Sequence, residues 1–347
     1  MKNILISFCT TVLFSCGSSH NSPSANSSKK DKDNVDAAII YAESITSKEL
    51  KKYLFTFASD DFEGRDTGEP GQKKAADFLK NEYIKMGVPS PMGGEDYFQK
   101  IPESYFRGGI KSSENVLAFI EGTEKPEEIV VLSAHYDHVG VDESGNIYNG
   151  ADDDGSGTVS LLEIAEAFIK AKNKGHGPKR SILFLHVTGE EKGLYGSRYY
   201  TENPVFPLEN TVTDLNIDMI GRIDKDHEEE AKNNYIYLIG SDRLSTELHT
   251  LSEEVNTKYT QLDLDYTYNA KDDPNRFYFR SDHYNFAKHN IPIIFYFNGV
   301  HEDYHKPTDT ADKINYDLMA KRAQLVFFTA WEVANRAERL VVDSMGN

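Results

Sequence analysis

Residues 129–137 read IVVLSAHYD. From Ile129 to Ala134 the run is apolar or small with no polar alternation, the pattern of a strand covered on both faces. It stops at His135, so an imidazole stands at a strand terminus. The same grammar recurs along the chain. SILFLHV (181–187) leads into Thr188-Gly189-Glu190-Glu191, a strand pattern over 211–217 leads into Asp218, and IPIIFYF (291–297) precedes Tyr304-His305-Lys306-Pro307-Thr308-Asp309-Thr310. Further strands are expected over 115–120 and 235–239. Helices are expected over 47–58, with Leu50, Leu54 and Phe57 on one face, over the second half of 62–87, closed by Gly87, and over 157–171. Apolar strands alternating with helices predict a three-layer α/β/α fold, whose functional residues gather where strands end.

The remaining features bound the function. A length of 347 residues suits one large α/β domain or two smaller ones. No second unit of independent character and no internal repeat is visible, so residues 37–347 read as one domain. The formal charge of −18 repels phosphate backbones and speaks against a nucleic-acid partner. Cys9 and Cys16 are the only cysteines. The body therefore has neither a disulfide framework nor a thiolate site, and any metal there must be held by His, Asp and Glu.

The first residues read as an address. Lys2 and the short apolar stretch Ile4 to Phe14 form an export signal over 1–15, too short to span a bilayer. Leu13-Phe14-Ser15-Cys16 resembles a bacterial lipobox, which would leave Cys16 as an acylated first residue. An ordinary cleaved signal with a chance cysteine is the other reading. The Ser-, Asn- and Lys-rich stretch 16–36 reads as a flexible tether. Together these features predict a lipoprotein of the bacterial cell envelope, held at the outer membrane through Cys16 alone.

Each acidic or imidazole fragment is ambiguous by itself. His135-Tyr136-Asp137 offers a ligand and a carboxylate to orient it, but such triplets are common. Asp152-Asp153-Asp154, between Gly150 and the Gly155-Ser156-Gly157 turn, is costly to bury without a cation, yet it would also suit an exposed turn. Adjacent Glu190 and Glu191 can divide metal binding from proton transfer. Taken together, the fragments supply imidazoles and carboxylates with no sulfur. That set suits two zinc ions about 3.5–4 Å apart, bridged by one carboxylate and one water.

In their order and context, FEGRDTGEPGQKKAADFL, SAHYDHVG, NGADDDGSG, TGEEKGLYGS, NIDMIGR, FRSDHYNFAKHNIPIIFY and DYHKPTDT resemble the M28 family of zinc peptidases over roughly residues 48–320. The resemblance implies the zinc-dependent exopeptidase fold, with a mixed, mostly parallel central sheet. It implies two Zn²⁺ ions and peptide substrates cleaved as by an aminopeptidase. His135 and Asp218 would hold one zinc, Glu191 and His305 the other, and Asp153, by its place before the Gly-Ser-Gly turn, would bridge them. Asp137 would orient His135, Glu190 would be the general base, and Tyr304 would stabilise the oxyanion. His138, His283, His289 and His301 are not expected as ligands. Ser281-Asp282-His283 is read as structural or pocket-lining, because consecutive residues do not converge as a triad. Three rival readings remain: a one-zinc glutaminyl cyclase on the same fold, a carboxypeptidase of the family, and a non-catalytic surface binding protein.

Overall fold

The computed structural model describes residues 37–344. The expected signal segment, Cys16 and the whole tether lie outside the described residues. The strands are β1 (Phe98–Ile101), β2 (Ser113–Ile120), β3 (Lys125–His135), β4 (Gly140–Val141), β5 (Ile147–Tyr148), β6 (Arg180–Val187), β7 (Thr211–Ile217), β8 (Tyr235–Ile239), β9 (Asp263–Asp265) and β10 (Ile293–Phe297). Eight of them form one sheet in the order β1-β2-β6-β3-β7-β10-β8-β9, while β4 and β5 make a separate ribbon. Strands β6, β3, β7 and β10 are mutually parallel neighbours at its centre. Strands β2 and β8 flank this group antiparallel to it.

The helices are α1 (Ser47–Phe57), α2 (Pro70–Met86), α3 (Gly157–Asn173), α4 (Tyr195–Glu202), α5 (Thr246–Val255), α6 (His283–Ala287) and α7 (Tyr316–Asn335). The unbroken apolar runs of the central strands follow from having a core on each side. Val130, Leu132 and Ala134 of β3 join Ile182 and Phe184 of β6 in a cluster with residues of α1, α2, α3 and α7. Ile129 and Val131 join Leu183 and Leu185 in a second cluster with Tyr200 of α4 and Phe286 of α6. Successive side chains thus enter opposite cores, so neither face needs polar residues.

Local signals set the helix ends. Thr46 caps α1 by accepting the Glu49 amide at 3.2 Å. Pro70 opens α2, and Gly87, with φ at 73°, closes it. Sequence patterning had no purchase on β1, β9, the β4–β5 ribbon or the helices after α3. The edge strands are very short. Helix α7 buries Met319, Ala323, Leu325, Phe327 and Trp331 on several sides and leaves only a narrow, partly exposed polar stripe of Lys321, Gln324, Glu332 and Asn335, so its amphipathic pattern is faint. The acidic stretch after Ile223 is mostly exposed, but Asp224 is buried, accepting the Tyr237 hydroxyl at 2.8 Å.

Helix α3 carries an acid into the core. Glu163 is 1% exposed, and burial, reinforced by Glu49 and Glu166, raises its carboxyl to about 8. A raised acid contributes its full stability below the unfolded pKa of 4.5 and loses it as pH rises through the folded value. Melting temperature measured against pH should therefore fall from about pH 5 to about pH 8 in the parent chain. Glu163→Gln should flatten that decline, and parallel curves for the two proteins would refute the assignment.

Candidate metal centre

The four central parallel strands end at one edge, and each releases a chain segment carrying polar groups. His135 terminates β3, and Asp137 and His138 follow it. Glu190 and Glu191 follow β6, Asp218 follows β7, and Tyr304 and His305 lie in the loop after β10. The Asp152–Asp154 run enters from the turn before α3.

That turn gives its three acids separate tasks. Asp152 accepts the Gly221 amide at 2.7 Å and turns its other oxygen to His301, 3.2 Å away. Asp154 accepts the amides of Gly157 and Met219 at 2.9 and 3.0 Å. Asp153 alone faces the strand-end histidines, with Oδ1 3.2 Å from His135 Nε2 and Oδ2 3.0 Å from His305 Nε2. On the first side, Asp218 Oδ1 lies 3.6 Å from His135 Nε2. On the second, Glu191 Oε2 lies 3.1 Å from His305 Nε2. The expected ligands are thus gathered as two groups sharing Asp153.

Asp137 meets His135 in a particular way. Its main-chain carbonyl is 3.1 Å from His135 Nδ1, while its carboxylate stands 3.9 Å off. The carboxylate instead accepts the Thr67 hydroxyl at 2.8 Å and the Glu190 amide at 3.2 Å. It therefore links the loop after β3 to the general-base candidate. Burial lifts the Glu190 carboxyl well above the usual range, and the charges of Glu191 and Asp218 add to this against the opposing His135. Burial and the nearby Asp153 and Glu191 likewise hold the Tyr304 phenol in its protonated form.

Ser281, Asp282 and His283 do not form a triad. Ser281 donates to Asp218 Oδ2 at 2.6 Å, Asp282 accepts the Ser197 hydroxyl at 2.5 Å, and His283 contacts the Tyr278 carbonyl at 2.9 Å. One residue the sequence reading set aside does enter the centre. His138, Asp153 and Glu191 offer donor atoms that all lie within 4.8 Å of one another, as do His135, Asp153 and Asp218. Only its closeness to His135 could have flagged His138, and that spacing alone is common.

The donor chemistry fits metal. Asp153 Oδ2, Glu191 Oε1 and His138 Nδ1 are buried and have no hydrogen-bond partner among the described residues. Unpaired buried acceptors of this kind are costly unless a cation answers them. Imidazole and carboxylate donors without sulfur suit zinc. Beside the centre is a pocket lined by Asp153, Glu190, Asp218 and Tyr304 on one side and Met219, Phe277, Phe295, Phe297 and Val300 on the other, with Arg280 also in its wall.

The signature of Peptidase family M28 matches residues 115–330, well over half of the chain. The chain belongs to peptidase family M28. Among similar proteins, a probable leucine aminopeptidase of Arthroderma benhamiae is 30% identical over 227 residues, which cover 63% of this chain and 57% of that protein. The chain thus spans little more than half the length of that relative. A probable leucine aminopeptidase of Arthroderma otae is 27% identical, over 72% of this chain and 74% of its own. LapB of Legionella pneumophila has the same fold, with a TM-score of 0.68 at 21% identity over 92% of this chain and 84% of its own. So does BSAP, a zinc aminopeptidase of Bacillus subtilis, with a TM-score of 0.63 at 16% identity over 87% of this chain and 98% of its own.

Behind the centre, the Arg65 guanidinium is fully buried and donates to the carbonyls of Tyr136, Phe57, Asn149 and Gly150 at 2.9, 3.3, 2.6 and 2.9 Å. Burial lowers it to about 10. Arg65→Met leaves these carbonyls without their donor, at about 1–3 kcal/mol for each one stranded. Urea unfolding should show a loss of at least about 3 kcal/mol. Arg65→Lys should recover only part of it, since one ammonium cannot reach all four acceptors.

Proposed function

We propose that this chain is a two-zinc aminopeptidase that removes N-terminal residues with apolar side chains from peptides. The observation that carries this reading is Asp153, whose two oxygens face separate His-and-carboxylate groups. His135, Asp153 and Asp218 would hold one ion, and Asp153, Glu191 and His305 the other. Zinc there would supply Lewis acidity, polarising the scissile carbonyl and making water a nucleophile near neutral pH. A one-metal cyclase would leave one of these donor groups unused.

The chain's own residues do the rest. Glu190 lines the pocket and is the base that takes the proton from the attacking water. Its raised proton affinity then suits delivery of that proton to the departing amine. Tyr304, also in the pocket wall and kept protonated, donates to the oxyanion as charge develops. Exopeptidase action is supported by the likeness to probable leucine aminopeptidases. Met219, Phe277, Phe295, Phe297 and Val300 favour an apolar side chain in the same pocket.

Turnover of leucine, glutamate and N-acetyl-leucine p-nitroanilides tests this directly. The leucine substrate should be cleaved with the highest kcat/KM, the acetylated one should resist, and chelation should abolish activity until zinc is restored. Glu190→Gln should retain metal and lose at least about 100-fold in kcat. Equal cleavage of free and acetylated substrates would refute the exopeptidase reading. We also propose export and lipid attachment through Cys16, supported by the Leu13–Cys16 pattern. Palmitate labelling of the expressed chain should be lost in Cys16→Ala, and unlabelled parent protein would refute attachment.

A further inference from the structure

We propose that His138 is a fourth protein ligand in the Glu191 half of the centre, binding through Nδ1 beside Asp153, Glu191 and His305. This rests on the reading of the site as a two-zinc centre and specifies how its halves differ.

The ring has a fixed place. His138 is 0% exposed, and its amide donates to the Arg65 carbonyl at 3.2 Å. Its Cγ and Cδ2 pack against Gly150, where an added Cβ would meet them at 2.5 Å. Gly150 also holds a φ of +51°, so both its backbone shape and its missing side chain make room for this ring. The imidazole is therefore pressed from the Asp152–Asp154 turn toward the carboxylates.

What the ring faces is unusual for a buried histidine. Nδ1 stands 2.8 Å from Glu191 Oε1 and 3.8 Å from Asp153 Oδ2. The Glu191 contact is short enough for a hydrogen bond, yet its direction does not make one. Nδ1, Glu191 Oε1 and Asp153 Oδ2 are all left without a hydrogen-bond partner among the described residues. An N–H donates along the ring plane to one acceptor. A buried ring nitrogen this near two carboxylate oxygens, bonded to neither, answers a cation instead. His305 reaches the same two carboxylates from the other side, and the two rings meet edge to face at 5.7 Å.

Two imidazoles and two carboxylates would make up a four-donor set of the kind zinc takes. The His135 half has three protein donors in His135, Asp153 and Asp218. The Glu191 half would then have four protein donors against three in the His135 half, leaving the His135 half the more open position for water or substrate. Such asymmetry predicts a tightly held ion and a more exchangeable one.

The test is chelator competition on the zinc-loaded protein, comparing the parent with His138→Ala and His138→Gln. In the parent, two zinc ions should leave in separable steps. In both variants, one step should weaken by at least about tenfold while the other keeps the parental affinity. In cobalt-loaded parent protein, the intense visible bands of a four-coordinate ion should be present, and His138→Ala should diminish them. Should the variants fold poorly, the ring ¹⁵N shifts of the intact parent decide: zinc should displace the His138 Nδ1 resonance as it displaces His305 Nε2. Unchanged affinities, or a His138 Nδ1 resonance insensitive to zinc, would overturn the proposal while leaving the two-zinc centre standing. A parent chain that binds no zinc would remove the centre itself.

Discussion

The structure is organised around one carboxylate that must serve two neighbours. Asp153 presents Oδ1 to His135 and Oδ2 to His305, with Asp218 and Glu191 beyond them on either side. Burying so many acids together is unfavourable by itself, because each loses hydration and repels the others. The arrangement persists only if the surrounding backbone prevents relaxation and cations neutralise the charge. Both requirements have traces in the geometry. The acids beside Asp153 are tied to main-chain amides, while Asp153 Oδ2 itself is left unbonded by protein.

The restraint comes from residues that are not themselves expected ligands. Arg65 gathers carbonyls from the end of α1, the loop after β3 and the turn before α3. Asp309 accepts the amides of Asp152 and Asp153 from the opposite side, linking the loop after β10 to the same turn. Burial, with Asp152 adding to it, raises Asp309 to about 6. Ser281 fixes one oxygen of Asp218 and leaves the other free to face His135. Polar groups held on several sides keep their positions when the cation is exchanged, which is the requirement for a preorganised centre.

How far the sequence could be read follows from which signals are local. A strand buried on both faces leaves an unbroken apolar run, so β3, β6, β7 and β10 are visible, and residues just past their ends inherit a shared edge. The choice among Asp152, Asp153 and Asp154 is less accessible. Their chemistry is identical, and only the turn decides which one faces the histidines. His138 was passed over for a related reason: whether a histidine three residues after another reaches the same site depends on a bend, not a period. Helix α7 is hard to read because burial on most of its circumference leaves only the narrow polar stripe of Lys321, Gln324, Glu332 and Asn335. The partner of His135 Nδ1 is equally hidden, since the nearest group is a main-chain carbonyl that every residue possesses.

The adjacent glutamates show how backbone shape turns a doubled residue into two functions. Gly189 adopts a φ of +70° directly after β6, a conformation that carries little cost only without a side chain. The Glu190 amide is then held by Asp137, while the Glu190 carbonyl accepts the amides of Gly193 and Leu194 as the chain curls back. The Gly196 amide closes this curl onto the Thr188 carbonyl at 2.7 Å. With its main chain fixed at both ends, Glu190 extends into the pocket beside Tyr304, and Glu191 turns toward His138 and His305. One carboxylate faces the pocket, and its neighbour faces the histidine pair. Because the two side chains are chemically identical, their different placements are imposed by the backbone alone.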